Sequence, residues 1–159
     1  VGVPDRLLFK KGRLTPEEFE EIKAHTVYGR EAILKAEERV GAQADRVLQL
    51  AKDIVYCHHE WWNGNGYPQG LKGEEIPLPG RLMAVVDVYD ALVSRRIYKQ
   101  AMDHEEAAQT IVEGSGIQFD PEIVEAFLQC EKRWRPIAKE FAEKIDNQRM
   151  VPLSPSGQW

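Results

Sequence analysis

Two adjacent histidines, His58 and His59, close an apolar run and open a loop dense in glycine. Counting back from His58, the positions Ile54, Ala51 and Val47 recur at helical spacing, and His59 continues the neighbouring row through Val55 and Leu48. Both imidazoles therefore leave the last turn of an inward helical face, set about 100° apart by the helical repeat. Neutral imidazole is the commonest metal-binding side chain, so ligation is one reading of the pair. The other is a core histidine bonded to a carbonyl beside an exposed one. A bare His-His pair does not choose between them, as a multi-cysteine site would. In the loop that follows, Gly64, Gly66 and Gly70 permit left-handed backbone and close approach, and Pro68 stiffens the path. Loops of this kind can approach a phosphate closely. A second group of candidates lies in RLMAVVDVYDALVS (81–94), which is apolar almost all round and carries Asp87 and Asp90 three positions apart. A charged carboxylate in such surroundings costs several kcal/mol unless it is paired or metal-bound. One is expected to be a ligand and the other a structural acceptor, and the chemistry leaves open which.

Helices must carry these groups. At 159 residues the chain suits a single domain with an adequate core. No stretch alternates with period two, so the expected fold is all-α: a helical bundle with a long Gly/Pro-rich loop (63–80) before a central buried helix. Thr15-Pro16-Glu17-Glu18 is a helix start, with Thr15 as cap, Pro16 at the first helical position and Glu18 closing a capping box. Phe19, Ile22 and Thr26 define the inner face of that helix, and His25 lies near its end. A separate helix is expected from Tyr28 to Val40, stopped by Gly41, and a third from Ala44 to His58. Asp103-His104-Glu105-Glu106 caps a further helix with Ala107, Ala108, Ile111 and Val112 inward. His104 reads as a surface residue with no ligand role. Asp120 caps the last core helix, which carries Ile123, Val124, Phe127 and Leu128 and is expected to break or kink at Pro136. The domain is drawn as 1–146, and residues 147–159 as a poorly ordered tail.

The formal charge of −5 comes without any basic tract, which argues against general nucleic-acid binding. An anionic ligand would need a local basic pocket. Cys57 and Cys130 have no motif spacing, and Cys57, inside the apolar run, reads as a buried free thiol suited to a reducing cytoplasm. There is no signal-peptide pattern and no apolar run long enough to span a bilayer, so a cytoplasmic location is expected. The chain opens on Val1-Gly2-Val3-Pro4-Asp5 without an initiator methionine and reads as a piece of a longer protein.

HHEWWNGNGYPQGLKGEEIP (58–77) resembles the signature segment of the HD-GYP family, metal-dependent phosphohydrolases that hydrolyse cyclic di-GMP. That signature reads HHE, two residues, DG, one residue, GYP, one residue, GL, then a short step to IP. Every part stands here except the aspartate, which is Asn63. VGVPDRLLFKKGRLTPEEFEEIKAHTVYG resembles a family stretch beginning IGIPD and ending in HPxxG, whose histidine falls on His25. AVVDVYDALVSRRIYKQA resembles a later segment with a ligand aspartate, falling on Asp87, and an R-P-Y-K element, here Arg96-Ile97-Tyr98-Lys99. GIQFDPEIVEAFL resembles the closing helix, so the likeness runs from Val1 to about Leu128. The resemblance implies an HD-type bundle with His25, His58, His59 and Asp87 as metal ligands, and Asp90 as the structural acceptor. It also implies Arg96 and Lys99 as substrate-binding cations and Gly66, Tyr67 and Pro68 as the GYP loop. In the family, a His-Asp pair and a nearby lysine stand immediately before the segment matching Val1 to Pro4. The site is therefore expected to be incomplete in this stretch alone, which is expected to have little phosphodiesterase activity.

The chemistry that follows is phosphodiester hydrolysis. Imidazole and carboxylate ligands suit iron, manganese or zinc and not calcium. Two such divalent ions, the number implied for the intact family site, can hold a bridging hydroxide and neutralise a phosphodiester during in-line attack. Arg96 and Lys99 would clamp a non-bridging oxygen, and Trp61 and Trp62 would either stack on a guanine or pack. The leading expectation is a metal-dependent phosphodiesterase that opens cyclic di-GMP to pGpG or GMP in bacterial second-messenger signalling. Two alternatives stand beside it: a catalytically incomplete GYP-type binding or interaction module, favoured by Asn63, and another HD-type nucleotide phosphohydrolase. The expected partner is cyclic di-GMP or a related nucleotide, and a protein partner at the GYP loop and a homodimer are compatible with it.

Overall fold

The structure is a computed structural model that describes residues 2–8, 10, 12–40, 45–94 and 102–149. Among the described residues six α-helices follow one another: α1 (Asp5–Leu8), α2 (Pro16–Val40), α3 (Asp45–Cys57), α4 (Leu78–Val93), α5 (His104–Glu113) and α6 (Pro121–Arg149). A 3₁₀ turn, Gly73–Glu75, precedes α4. Among the described residues there is no strand, only the isolated bridges Asn63–Lys72 and Ser115–Phe119. The all-α expectation holds.

Local signals set the starts of α2, α5 and α6. Thr15 and Glu18 form the expected reciprocal cap, the Thr15 amide donating to Glu18 Oε2 at 2.7 Å and the Glu18 amide to Thr15 Oγ1 at 3.3 Å. Asp103 Oδ1 accepts the Glu106 amide at 2.8 Å, and Asp120 Oδ1 accepts the Glu122 amide at 2.9 Å. Three expectations need correction. Residues 16–40 form one helix and not two, because nothing between Thr26 and Tyr28 removes a backbone bond. Gly29 within it lies against α3, where an added Cβ would rest 3.5 Å from Val55 Cβ. α4 begins at Leu78, with a proline in its first turn, and α6 continues as helix through Pro136.

α4 is the hub, packing on α3, α5 and α6, while α2 packs on α3. The apolar core lies on its C-terminal side, where Ala84, Val85 and Tyr89 meet Ala107 and Ile111 of α5 and Ile123 and Phe127 of α6. Val85, Ile111, Ile123 and Phe127 each contribute about 1.5–3 kcal/mol on burial. The expectation that α4 is buried all round is not met. Its Gly80, Ala84, Val85 and Tyr89 are buried, but Leu82 is 46% exposed, and Leu78, Val86 and Asp90 are also exposed. Neighbouring helices cover only part of its circumference. Leu128, expected inward, is likewise exposed. On the other flank Gly80 lets α4 reach α3, since a Cβ there would stand 2.7 Å from Cys57 Cβ. That contact buries the end of α3, from which the histidines emerge.

Candidate metal centre

His25 comes from the middle of α2, while His58 and His59 follow the last residue of α3. Their rings gather. One nitrogen from each of the three lies within 4.8 Å of the others, and all three side chains are half-buried. Ring centroids are 4.0 Å apart for His58 and His59, 5.0 Å for His25 and His59, and 5.4 Å for His25 and His58. The expected divergence of His58 and His59 does not occur, because the helix ends at Cys57. The His58 amide still bonds to Ile54 at 3.1 Å, but the Glu60 amide bonds to Cys57 at 3.0 Å, a tighter turn that swings His59 back beside its neighbour.

Hydrogen bonds decide the tautomers. His25 Nδ1 lies 2.7 Å from the Ile22 carbonyl and His58 Nδ1 3.0 Å from the Ile54 carbonyl. A carbonyl only accepts, so both Nδ1 atoms carry hydrogen and donate. In the neutral rings both Nε2 atoms then present lone pairs, and these stand 3.4 Å apart. Two lone pairs at that separation repel unless a cation lies between or beside them. Backbone carbonyls that fix Nδ1–H are the usual outer partners of metal-bound imidazoles.

The electrostatics also favour the neutral form of His58 and His59. Burial, aided by the charges of His58 and His25, pushes the His59 pKa down to about 3. Burial likewise lowers that of His58, a shift opposed by its bond to Ile54 and by the nearby charge of Asp87. Neutral imidazole is the form that ligates, so these three residues could hold a divalent metal ion.

Asp87, half-buried on α4, does not join the group within 4.8 Å. Its charge nevertheless reaches the cluster, acting on His58 and, after burial, helping to push the Tyr67 hydroxyl up to about 12. Asp90 is exposed and accepts the Ser94 hydroxyl at 3.3 Å. Arg96 and Lys99 lie outside the described residues.

The glycine loop wraps the cluster. The Tyr67 amide donates to the His59 carbonyl at 3.0 Å, and its ring lies 4.8 Å from that of His59. Gly66 makes this possible, because a Cβ there would fall 2.2 Å from the Trp61 nitrogen. Asn63, standing where the family has aspartate, accepts the Asn65 amide at 2.9 Å, a turn-forming role that asparagine fills without charge. Trp62 packs beneath the Arg81 guanidinium at 5.8 Å.

Three features escape sequence reasoning. Phe19, expected inward, is 43% exposed and meets Tyr67 edge-on at 6.0 Å. The Lys23 ammonium sits over both rings, 4.9 Å from Phe19 and 5.4 Å from Tyr67, placing a cation at the rim. His104 is half-buried rather than a surface residue, and its Nδ1 bonds to the Tyr89 hydroxyl at 2.8 Å, far from the cluster in the α5 cap.

The family model described as "HD domain" matches residues 1–123. The chain belongs to the HD domain family, and it carries the HD-GYP form of the domain. It is 48% identical to a probable cyclic di-GMP phosphodiesterase of Vibrio cholerae, over 96% of this chain and 34% of that protein. It is also 48% identical to a cyclic di-GMP phosphodiesterase of Thermotoga maritima, over 83% of this chain and 34% of the relative. Among solved structures it is similar to a cyclic GMP-AMP-specific phosphodiesterase of Vibrio cholerae. The TM-score is 0.56 at 28% identity, covering 89% of this chain and 31% of the other. The chain thus spans about a third of the length of the curated relatives it matches.

Proposed function

We propose that this domain is the metal-dependent phosphodiesterase unit of its protein and that its substrate is cyclic di-GMP, opened to pGpG or GMP. The observation that carries the reading is the pair of Nε2 lone pairs held 3.4 Å apart by backbone-fixed tautomers, with a third imidazole beside them. An arrangement that is repulsive when empty is pre-organised for a cation. The names of its relatives supply the substrate class. His25, His58 and His59 are the proposed ligands, with Asp87, whose charge reaches His58, as the carboxylate that completes the set, and Asp90 as a structural acceptor for Ser94. The donor set suits iron, manganese or zinc. A bound ion supplies an activated water and neutralises the phosphodiester, and two ions are the number we assign to the complete centre.

The protein's own groups do the rest. Ile22 and Ile54 hold the imidazole orientations through their carbonyls. Tyr67 covers His59 and narrows access on that side. Lys23, whose ammonium pairs with Glu20 at 2.6 Å, would have to exchange that partner to meet an anionic substrate at the rim, and Arg96 and Lys99 are proposed as further phosphate contacts. We assign the site to the helical unit drawn from the sequence as 1–146, whose last helix, α6, runs on to Arg149. A buried free thiol, Cys57, suits a reducing compartment, and we place the activity in the cytoplasm.

The test is hydrolysis of cyclic di-GMP by the full-length parent protein with manganese or iron. Asp87→Asn is expected to lower metal content and turnover together, and Asp90→Asn to change neither. Tight nucleotide or partner binding without turnover would instead favour the interaction module, and turnover of other nucleotides alone a different HD-type phosphohydrolase.

A further inference from the structure

Glu60 follows the two histidines directly and takes no part in the chemistry above. Its side chain is an acid, yet the residue is only 2% exposed. Its two oxygens accept from the backbone, Oε1 from the Gln69 amide at 2.7 Å and Oε2 from the Leu71 amide at 3.0 Å. A buried carboxylate without such bonds costs several kcal/mol. Charge-assisted bonds to backbone amides are about twice as strong as neutral ones, so this pair both solvates the charge and grips the chain.

The place of the grip matters. Gln69 and Leu71 lie on the returning arm of the glycine loop. On the outgoing arm, Gly66 passes so close to Glu60 that an added Cβ would stand 2.5 Å from its Cα. Between the two contacts sits Tyr67, whose amide bonds to the His59 carbonyl and whose ring lies on His59. The loop is therefore held against residues 59–61 at both ends of the segment that presents Tyr67.

We propose that Glu60 is a positioning residue: by clamping the amides of residues 69 and 71 it fixes Tyr67 over His59, and so sets the imidazole orientation and the wall met by substrate. Both Glu60 oxygens are taken up by backbone amides, so its effect on the site passes through Tyr67. Glutamate is required because both of its oxygens accept. Glutamine is the same size but turns an NH2 toward one amide donor, so one of the two bonds is lost. Aspartate keeps the charge but falls one methylene short of the amides. The kinetic part of this inference rests on the phosphodiesterase reading, and the structural part does not.

The experiment compares Glu60→Gln, Tyr67→Ala and the double variant. In this chain, amide hydrogen exchange at Tyr67, Gln69 and Leu71 is expected to rise at least about tenfold in Glu60→Gln, while core amides at Val85, Ile111 and Val124 keep their rates. Manganese affinity of the same chain is expected to fall about tenfold in each single variant, as for other groups that orient a ligand. The double variant should lose no more than the more impaired single, because both act through one contact. In the full-length parent, KM for cyclic di-GMP should follow the same non-additive pattern. Multiplying losses, or exchange that rises equally throughout the core, would overturn the proposal, the latter by showing a merely structural role. Where Glu60→Gln does not fold, Glu60→Asp supplies the same comparison. A parent protein that leaves cyclic di-GMP intact would remove the functional reading, while exchange and manganese affinity would still decide the positioning role.

Discussion

His59 shows how burial prepares a side chain for its partner. An unfolded histidine takes up a proton near 6.5, whereas in the fold His59 remains neutral down to about 3. Between those values the unfolded chain binds more protons than the folded one, so stability falls as pH falls through that window. The metal-free chain is therefore expected to unfold at lower urea near pH 5 than near pH 7. His59→Asn should flatten that slope by up to one proton. Equal slopes in the two proteins, measured with a chelator present, would show that His59 titrates as an ordinary histidine. The same desolvation suits metal binding, because a ring that resists protonation leaves its lone pair free.

At the scale of elements, two contacts around α4 decide whether the site is held. The first is Gly80, where the helix comes within one methyl group of Cys57. Gly80→Ala would gain about 1 kcal/mol in helix propensity, but its Cβ would collide with the end of α3. The clash is expected to dominate, at a net loss of about 1–3 kcal/mol by chemical denaturation. A stabilised variant would mean that α3 and α4 slide apart easily. The second contact is the ion pair between Arg81 of α4 and Asp120 at the start of α6, 2.7 Å long with side-chain exposures of 17% and 2%. Breaking a buried pair from one side strands a charge, so Asp120→Ala is expected to cost about 3–5 kcal/mol. Part of that loss belongs to the α6 cap, since Asp120 Oδ1 also accepts the Glu122 amide. Arg81→Met, which leaves the cap intact, separates the two contributions and should cost less.

The whole molecule divides its labour along the chain. The apolar core is concentrated where α4, α5 and α6 meet, and the polar cluster lies between α2 and the end of α3. Metal binding joins His25 to residues 33 and 34 positions later and so cross-links the half with the smaller core. An ion that binds only the folded chain adds about 2.7 kcal/mol at a hundred times its dissociation constant, a rise of roughly 5–10 °C in melting temperature for a domain of this size. Differential scanning fluorimetry with manganese and then EDTA should show the rise and its reversal, with His58→Ala abolishing both. Amide exchange should slow in α2 and α3 on adding metal and change little in α5. Uniform slowing would indicate that the two halves open as one unit. Among the described residues no helix is long and apolar enough to cross a membrane.

Much of this was legible without coordinates, because the signals are local. The reciprocal bonds of Thr15 and Glu18 span three residues, and the caps at Asp103 and Asp120 span two or three, so short-range chemistry determines where those helices begin. Helical periodicity excluded a sheet, and the ordered motif from His58 to Pro77 identified the family. Tertiary structure decided the rest. Periodicity showed that α4 is apolar but not which of its faces neighbours would cover, and so left Leu82, Val86 and Asp90 misplaced as buried. The relation of His58 to His59 depended on a helix ending one residue earlier than its pattern, at a turn whose next residue, Glu60, is tied to amides nine and eleven positions away. The edge contact of Phe19 with Tyr67, distant in sequence, likewise arises only in the fold. Contacts between residues far apart along the chain leave no periodic trace in it, and only folding brings their donors and acceptors within reach.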